Sequence, residues 1–266
     1  MSGDSAAEPR RRPLPSARLP QSYGTIVVVG GGCYGSYYVR QLARAAAAGA
    51  LTCDRVLVVD RDPACQVARA GPGGAPVPVE LRTSEWGEFF ATYLAAAAAE
   101  PRGADRDAIV PSPLMPHLMY DWLLARARAR WPHRSVGTVP LATPPGTPWQ
   151  QGVPDGTHYV SFATWMCPIN CVEPARCPHT RGPRNWSMAA AIPDYVADEN
   201  AHGRATLGPL LFHCTHRAYG VGMIDTRDVV AADAYLAGAA AGRDARVLVG
   251  TVSHCHGALN LMAIEG

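Results

Sequence analysis

The chain has 266 residues, of which 48% are hydrophobic and 17% are charged, and this composition is typical of a globular protein with a substantial core. It contains no lysine, so all 24 of its positively charged side chains are arginines. The lack of a side-chain amine excludes Schiff-base chemistry on lysine and the phosphate-binding lysine of P-loop and kinase sites. The 22 acidic residues leave a formal net charge of only +2, which does not favour binding to nucleic acid or to a membrane surface.

The start of the chain predicts a disordered leader over residues 1–22. This stretch contains the run Arg10-Arg11-Arg12 and several prolines, but it lacks the apolar segment of a secretory signal. Apolar runs elsewhere in the sequence fall far short of the roughly 20 residues that cross a bilayer. We therefore expect a cytoplasmic protein, in which the eight cysteines serve metal or redox chemistry rather than disulfide bonds.

Residues 23–145 alternate between β-branched apolar runs and helical patterns, which favours an α/β fold with a mostly parallel sheet. Strands are predicted at 25–30, 55–60, 77–81, 107–110 and 135–141. Helices are predicted at 34–48, 84–99 and 116–130. The last of these is expected to begin at Pro116, because the fixed φ of proline suits the first position of a helix.

Residues 146–266 are expected to continue the α/β fold and to carry an irregular, cysteine-rich insertion at 165–185. After a proline-rich connection at 143–154, strands are predicted at 158–164, 210–214 and 220–224. A helix follows that either Asp225 or Thr226 can cap, and residues 246–253 form the last predicted strand.

A glycine-rich turn follows the first predicted strand. The segment Gly30-Gly31-Gly32-Cys33-Tyr34-Gly35 matches G-x-G-x-x-G between a strand and a helix, and Asp60 ends the next predicted strand. This stretch resembles the dinucleotide-binding Rossmann family, and the resemblance implies a Rossmann-like sheet with NAD(P) or FAD on the turn. The residues that the resemblance implies for cofactor binding are Gly30, Gly32, Cys33, Tyr34, Gly35 and Asp60.

The choice of dinucleotide is left open by the residues around Asp60. A carboxylate there favours NAD over NADP because it repels a 2′-phosphate, but Arg61 beside it weakens that preference. A turn that has lost its ligand, or one that binds S-adenosylmethionine, is the alternative explanation for the same glycines.

Three cysteines, Cys167, Cys171 and Cys177, lie within 11 positions of irregular, proline-rich sequence. The pairs Cys167-Pro168 and Cys177-Pro178 are similar to the Cys-Pro that closes a bacterial ferredoxin ligand run, although the C-x3-C-x5-C spacing differs from that pattern. The similarity implies an iron–sulfur cluster. Zinc is the alternative metal, and its structural sites usually show closer ligand pairs.

A closed four-ligand site needs one more residue. Cys214, at the end of a predicted strand, is the first choice, and Cys255 and His179 are the alternatives. Reduced thiols that pack as small hydrophobic side chains would explain the same cysteines without a metal.

Other titratable residues are candidates for proton transfer or anion binding. His117 near a helix start has the right side chain for a general acid or base, and four further histidines lie near strand ends: His213, His216, His254 and His256. Three arginines flank the cysteines and are suited to an anionic substrate or to cluster charge: Arg176, Arg181 and Arg184. The sequence alone does not identify a catalytic residue.

Together these features predict an oxidoreductase or electron-transfer protein that binds NAD(P) or FAD and an iron–sulfur cluster. A non-catalytic redox sensor and an NAD-dependent dehydrogenase with a structural zinc loop are the alternatives. The expected partner is a small-molecule substrate or a redox partner protein, with no nucleic acid and no membrane, and a homodimer stays open.

Overall fold

A computed structural model describes residues 21–71, 76–169 and 171–266. Most of the predicted leader, residues 1–20, lies outside the described residues, whereas Gln21 and Ser22 already belong to the first strand. None of the helices in the described ranges is both long enough and apolar enough to cross a membrane.

The described residues form a mixed α/β fold with two sheets. The strands, numbered along the chain, are β1 (Gln21–Val29), β2 (Leu51–Asp60), β3 (Val79–Thr83), β4 (Ala108–Val110), β5 (Ser135–Val139), β6 (Trp149–Gly152), β7 (His158–Ser161), β8 (Leu207–His213), β9 (Thr215–His216), β10 (Gly222–Asp225), β11 (Ala245–Val252) and β12 (His256–Glu265). The α-helices are α1 (Cys33–Ala47), α2 (Gln66–Ala70), α3 (Trp86–Ala99), α4 (Leu118–Arg130), α5 (Met188–Ala201) and α6 (Thr226–Ala239).

The first sheet has the strand order β3-β2-β1-β4-β10-β9. Strands β1 to β4 are parallel to one another, whereas β10 runs antiparallel to β4 and β9 runs antiparallel to β10. Parallel strands buried on both faces read as continuous apolar runs, and 26–29 and 56–59 are such runs. Their side chains divide alternately between two core clusters, one on each face of the sheet.

The second sheet has the order β6-β7-β12-β11-β8, and β5 pairs with β12 beside β7. Only the β11 and β8 pair is parallel among these described strands. Side chains of β11 and β12 on one face join the core cluster that also contains residues of α3, α4 and α6. Their other face packs against α5 through Met188, Ile192 and Val196.

The packing therefore produces five layers, in which α3, α4 and α6 lie between the two sheets while α1 and α5 cover the outer faces. The two sheets meet where the chain leaves β8 and enters β9. Cys214 is the single residue between these strands, and its backbone N–H donates to the carbonyl oxygen of Val252 at 2.8 Å. The ends of β4, β8, β10 and β11 are brought together at this junction.

The predicted α/β class is confirmed. The described residues form two mixed sheets, however, rather than one mostly parallel sheet. The predicted strand at 135–141 exists as β5, yet it pairs antiparallel with β12 in the second sheet. Strand β12 itself follows the strand that was expected to be last. Strand β12 is buried on both faces, so its sequence lacks the alternation of apolar and polar residues that marks a half-exposed strand. Its one buried amide, Asn260, donates to the hydroxyl of Thr157 at 2.9 Å.

Three further local predictions differ from the structure. The segment predicted to be irregular before Pro209 contains helix α5. Its second turn includes Pro193, and a proline inside a segment normally argues against a helix. The proline-rich connection contains the short, exposed edge strand β6. Helix α4 begins at Leu118 rather than at Pro116.

Candidate functional site

The glycine-rich turn connects β1 to α1 at the carboxyl end of the parallel strands. Gly30 has φ +87°, a conformation that side chains other than glycine rarely adopt, and its N–H donates to the carbonyl oxygen of Val59 at 2.8 Å. A Cβ on Gly35 would overlap the carbonyl oxygen of Gly30, so close approach of the helix to the turn requires glycine there. A Cβ on Gly32, by contrast, would have no atom of the described ranges within 4 Å.

Among the described residues, no side chain accepts a hydrogen bond from the N–H groups at the start of α1. Gly32 is the residue before the helix, no side chain caps it, and the first turn holds no acidic residue. Cys33, the first helical residue, is exposed, and Tyr34 is half-buried. An uncapped helix start next to an open glycine has the form of an anion-binding site.

Asp60 ends β2 and faces this turn. Its Oδ2 accepts a hydrogen bond from the N–H of Gly31 at 2.6 Å, and its Oδ1 accepts one from the N–H of Asp62 at 2.9 Å. Gly31 lies so close to the buried Cys65 that a Cβ would overlap the thiol sulfur. The carboxylate is therefore fixed beside the turn by backbone donors on both sides.

A cavity of about 340 Å³ lies at the junction of the two sheets. Because Val28 of β1 pairs with Val110 of β4, the turn after β1 is level with Pro111 and Ser112, which line the cavity. Other lining residues come from α1, β9, β10 and the β11–β12 region, and they include Tyr38, His216, Gly222, Ser253 and His256.

A second cavity of about 350 Å³ adjoins the first. The two share five lining residues, Pro113, Ile169, His216, Ser253 and His256. The second cavity is otherwise lined largely by the cysteine-rich segment, including Cys167 and Cys171, and by Cys255 from the β11–β12 turn.

Glu173 joins the cysteine-rich segment to the β11–β12 turn. Its carboxylate accepts hydrogen bonds from the hydroxyl of Ser253 at 2.8 Å and from the backbone N–H groups of His254 and Cys255 at 3.1 and 3.2 Å. The Nδ1 atom of His216 lies 3.2 Å from its Oε2. Burial opposes the charge, but the hydrogen bonds from His216, Ser253 and the His254 amide together lower the pKa of Glu173 to about 2.

The backbone at Glu173 also has an unusual conformation. Its φ is +48°, in the left-handed region that residues other than glycine seldom occupy. Such a conformation persists where the surrounding contacts over-determine it, and the four hydrogen-bond partners of the carboxylate do so here. Sequence reasoning missed this role, because neither the sign of φ nor the distant partners can be predicted from the residues around Glu173.

The eight cysteines are all free thiols, and they fall into different environments. Cys53 and Cys65 pack in or against the apolar cluster under β1 and β2. Cys214 lines the first cavity and packs against the core, where burial raises the pKa of its thiol to about 12. Among the described residues, no group of three or more His, Cys, Asp or Glu side chains is arranged to hold a single metal ion.

The thiols of the cysteine-rich segment lie near Cys255. Burial raises the pKa of Cys167, and the neighbouring thiolates of Cys171, Cys255 and Cys177 raise it further. Cys177 differs because its sulfur accepts hydrogen bonds from the backbone of Thr180 and His179, which lower its pKa. Trp186 donates its ring N–H to the sulfur of Cys255 at 3.3 Å.

The candidate histidines separate into two groups. His117 pairs with Asp121, at 3.8 Å between Nε2 and Oδ2, on α4. His216 and His256 line both cavities. The hydroxyl of Ser161 donates to the carbonyl oxygen of Ala163 at 2.7 Å, so the contact of 2.9 Å between His256 Nδ1 and this hydroxyl is donated by the imidazole.

The flanking arginines and His179 stabilise the cysteine-rich segment. Arg184 donates through its guanidinium to the carbonyl oxygen of Pro174 and through its backbone N–H to that of Ala175. Arg181 donates its backbone N–H to the carbonyl oxygen of Cys177 at 2.8 Å. His179 stacks on Trp165 with ring centroids 4.3 Å apart.

Comparison with known proteins assigns the larger part of the chain to one family. Residues 119–265 match the model of the AF_1314_C family, which is described as "Uncharacterized protein, C-terminal domain". The match covers more than half of the chain, so the chain belongs to this family. The matched region runs from α4 to β12 and includes the cysteine-rich segment and the second sheet. Neither the curated proteins nor the solved structures provide a match.

Proposed function

We propose that this member of the AF_1314_C family is an oxidoreductase that holds a dinucleotide on the 30–35 turn and acts on a small molecule in the adjoining cavity. The observation that carries the proposal is the open position at Gly32, between a parallel strand and an uncapped helix start. A turn of this kind lets the backbone approach a pyrophosphate closely and directs free N–H groups at its charge.

The strand order supports the same function. The parallel strands run β3-β2-β1-β4, which is the order of one half of a Rossmann-like sheet. In such sheets, ligands bind outside the carboxyl ends of the strands, at the position where the strand order reverses. Here that position lies between β1 and β4, and the cavity beside Pro111 and Ser112 opens next to it.

Asp60 is suited to a ribose of the dinucleotide. Its carboxylate ends β2 and is already oriented by the N–H groups of Gly31 and Asp62. A carboxylate accepts several hydrogen bonds at once, so lone pairs remain for ribose hydroxyls. A nicotinamide or flavin dinucleotide bound here supplies an electron pair to, or takes one from, a substrate, as a hydride.

The cavity provides hydrogen-bonding groups for a small substrate. Ser112 and Ser253 contribute hydroxyls, and His216 and His256 contribute imidazoles. Both imidazoles have their Nδ1 atoms engaged, with Glu173 and Ser161 respectively, which fixes the orientation of each ring. A cytoplasmic location, in which the thiols stay reduced, is part of this proposal.

Measuring the binding of NADH, NADPH and FAD to the purified chain tests the nucleotide site. We expect one of the three to bind, and Gly32→Glu to abolish binding because it places a carboxylate where the pyrophosphate would lie. The control is Gly238→Glu, at an exposed and equally open glycine of α6. If wild-type protein bound none of the three, or if both variants lost binding equally, the proposed site would be wrong.

Turnover separates an enzyme from a sensor. Each NADH that is oxidised yields two electrons and one proton, and two molecules of a one-electron acceptor such as ferricyanide take the electrons. We expect the bound dinucleotide to be oxidised catalytically by such an acceptor. Tight binding without any turnover would contradict an oxidoreductase and favour a non-catalytic sensor.

A further inference from the structure

The second cavity brings together thiols that are distant in sequence. Cys167 and Cys171 line it from the cysteine-rich segment, and Cys255 lines it from the turn between β11 and β12. Cys177 follows in the same segment and is buried, and its backbone N–H donates to the carbonyl oxygen of Gly182 at 3.0 Å. The described chain thus places two cysteines of one segment on the same cavity as a third from the other end of the family region.

The arrangement differs from that of cysteines that only pack. Cys53 and Cys65 lie in or against an apolar core cluster, as small hydrophobic side chains do. The cavity thiols instead surround a space of about 350 Å³, and Cys167 and Cys171 are partly exposed to it. Several thiols that face one cavity are typical of a ligand site when polar contacts fix the backbone that carries them.

Glu173 joins the cysteine-rich segment to the turn between β11 and β12 by hydrogen bonds. It lies two residues after Cys171, and its carboxylate accepts the N–H of Cys255 at 3.2 Å together with the other donors of the 253–255 turn. Hydrogen bonds to a charged carboxylate are stronger than those between neutral groups, so this contact holds the two segments together firmly. Cys171 and Cys255 are therefore held on the same cavity by a contact that involves neither sulfur.

The sulfur of one of these residues accepts a hydrogen bond, which Cys255 receives from the ring N–H of Trp186 at 3.3 Å. Hydrogen bonds to ligand sulfurs are a means by which proteins stabilise and tune iron–sulfur clusters.

We propose that Cys167, Cys171 and Cys255, which line the second cavity, bind an iron–sulfur cluster of the [4Fe–4S] type there, with Cys177 of the same segment as the fourth ligand. Each thiol loses its proton and forms one S–Fe bond. A four-iron cluster does not need its ligands to converge on one atom, because each thiolate binds a different iron, whereas zinc requires four ligands at about 2.0–2.3 Å from one ion. The site is independent of the nucleotide site, because no residue of the 30–35 turn or Asp60 takes part.

Cys214 does not belong to this set. Its thiol lines the first cavity and is held under Gly222, where a Cβ would approach the sulfur to 2.7 Å. Its N–H is engaged with Val252, which fixes it at the junction between the sheets. The choice between Cys255 and Cys214 is therefore the sharpest test of the proposal.

The test is anaerobic reconstitution of the full chain with iron and sulfide, followed by iron, sulfide and zinc analysis and visible absorption. We expect about four iron and four sulfide per chain. Cys255→Ser is expected to lose most of the cluster, whereas Cys214→Ser and Cys53→Ser retain the wild-type amount. Circular dichroism shows whether each variant is folded, and Cys171→Ser, at a partly exposed position, provides a second ligand variant.

The opposite results would overturn the proposal. These are wild-type protein that binds stoichiometric zinc in place of iron and sulfide or that binds no metal, and a cluster that survives in folded Cys255→Ser and Cys171→Ser but is lost in Cys214→Ser. Failure of the nucleotide-binding experiment would leave these results unaffected, because the two sets of variants share no residue.

Discussion

The glycine-rich turn and the cysteine-rich segment are built by different means. The turn is local, because its glycines lie within six consecutive positions and its chief outside partners are the neighbouring strand β2 and Asp60 at its end. The cysteine-rich segment has little regular structure of its own. It acquires its position from Glu173, which reaches the turn between β11 and β12, some 80 residues later in the chain.

This difference separates two ways of building a local structure. The conformation of the turn depends on backbone geometry and on the absence of side chains at Gly30, Gly32 and Gly35. The position of the cysteine-rich segment depends on a few buried hydrogen bonds of polar side chains. Substitutions should therefore act on the turn through steric overlap and on the segment through lost partners.

The largest expected effect is that of Gly35→Ala. The added Cβ would overlap the carbonyl oxygen of Gly30, a backbone atom that can move only with the whole turn. We expect a loss of about 3 kcal/mol in the free energy of unfolding, the upper part of the usual range for overpacking, measured by denaturant titration. The control Gly238→Ala, at an open helical position, should gain about 0.5–1 kcal/mol. Equal stability of the two variants would contradict the close approach at Gly35.

A smaller effect is expected for Glu173→Gln, which keeps the shape of the side chain but replaces an acceptor oxygen by a donor. The amide cannot accept from all of Ser253, the His254 and Cys255 N–H groups and His216, and we expect a cost of about 2 kcal/mol. Hydrogen exchange should speed up over 165–185 and leave the 30–35 turn unchanged. Glu100→Gln, at an exposed position, is the control. Faster exchange in both regions would show that they are not built independently.

The smallest effect is expected for Asp60→Asn, which removes charge but retains an oxygen for the N–H of Gly31. Stability should be almost unchanged, while the dissociation constant of the bound dinucleotide rises about tenfold, or about 1.4 kcal/mol, because a neutral amide is a weaker acceptor for ribose hydroxyls. Calorimetric titration measures this change. The neighbouring Asp62→Asn serves as the control, and an equal rise in both would exclude a specific role for Asp60.

The turn could be predicted from sequence because each of its requirements is local. A β-branched run, three spaced glycines and a following helical pattern specify β1, the turn and α1 without any knowledge of the rest of the chain. The pairing of β5 could not be predicted in the same way. Its residues satisfy a strand in either sheet, and only the position of β12 decides that it pairs there.

Which cysteine lies beside the cysteine-rich segment also depends on tertiary structure, because strand pairing decides where the ends of β8 and β11 lie. Cys214 and Cys255 both follow long apolar strands, β8 and β11, and the sequence made Cys214 the first choice only because it ends a predicted strand. In the structure β8 continues directly into β9 of the first sheet and carries Cys214 to the first cavity. Strand β11 turns back into β12, and that turn carries Cys255 to the second.

The sequence by itself determined the α/β class, most of the strands and helices, the glycine turn with its acidic neighbour, and the presence of a thiol-rich segment. All of these follow from spacing and from the conformational limits of single residues. The tertiary structure decided that there are two sheets, that the helices α3, α4 and α6 lie between them, and that Glu173 and Cys255 meet the cysteine-rich segment. These depend on long-range burial and hydrogen bonding, because a buried carboxylate is stabilised by donors whose distance in sequence is not constrained.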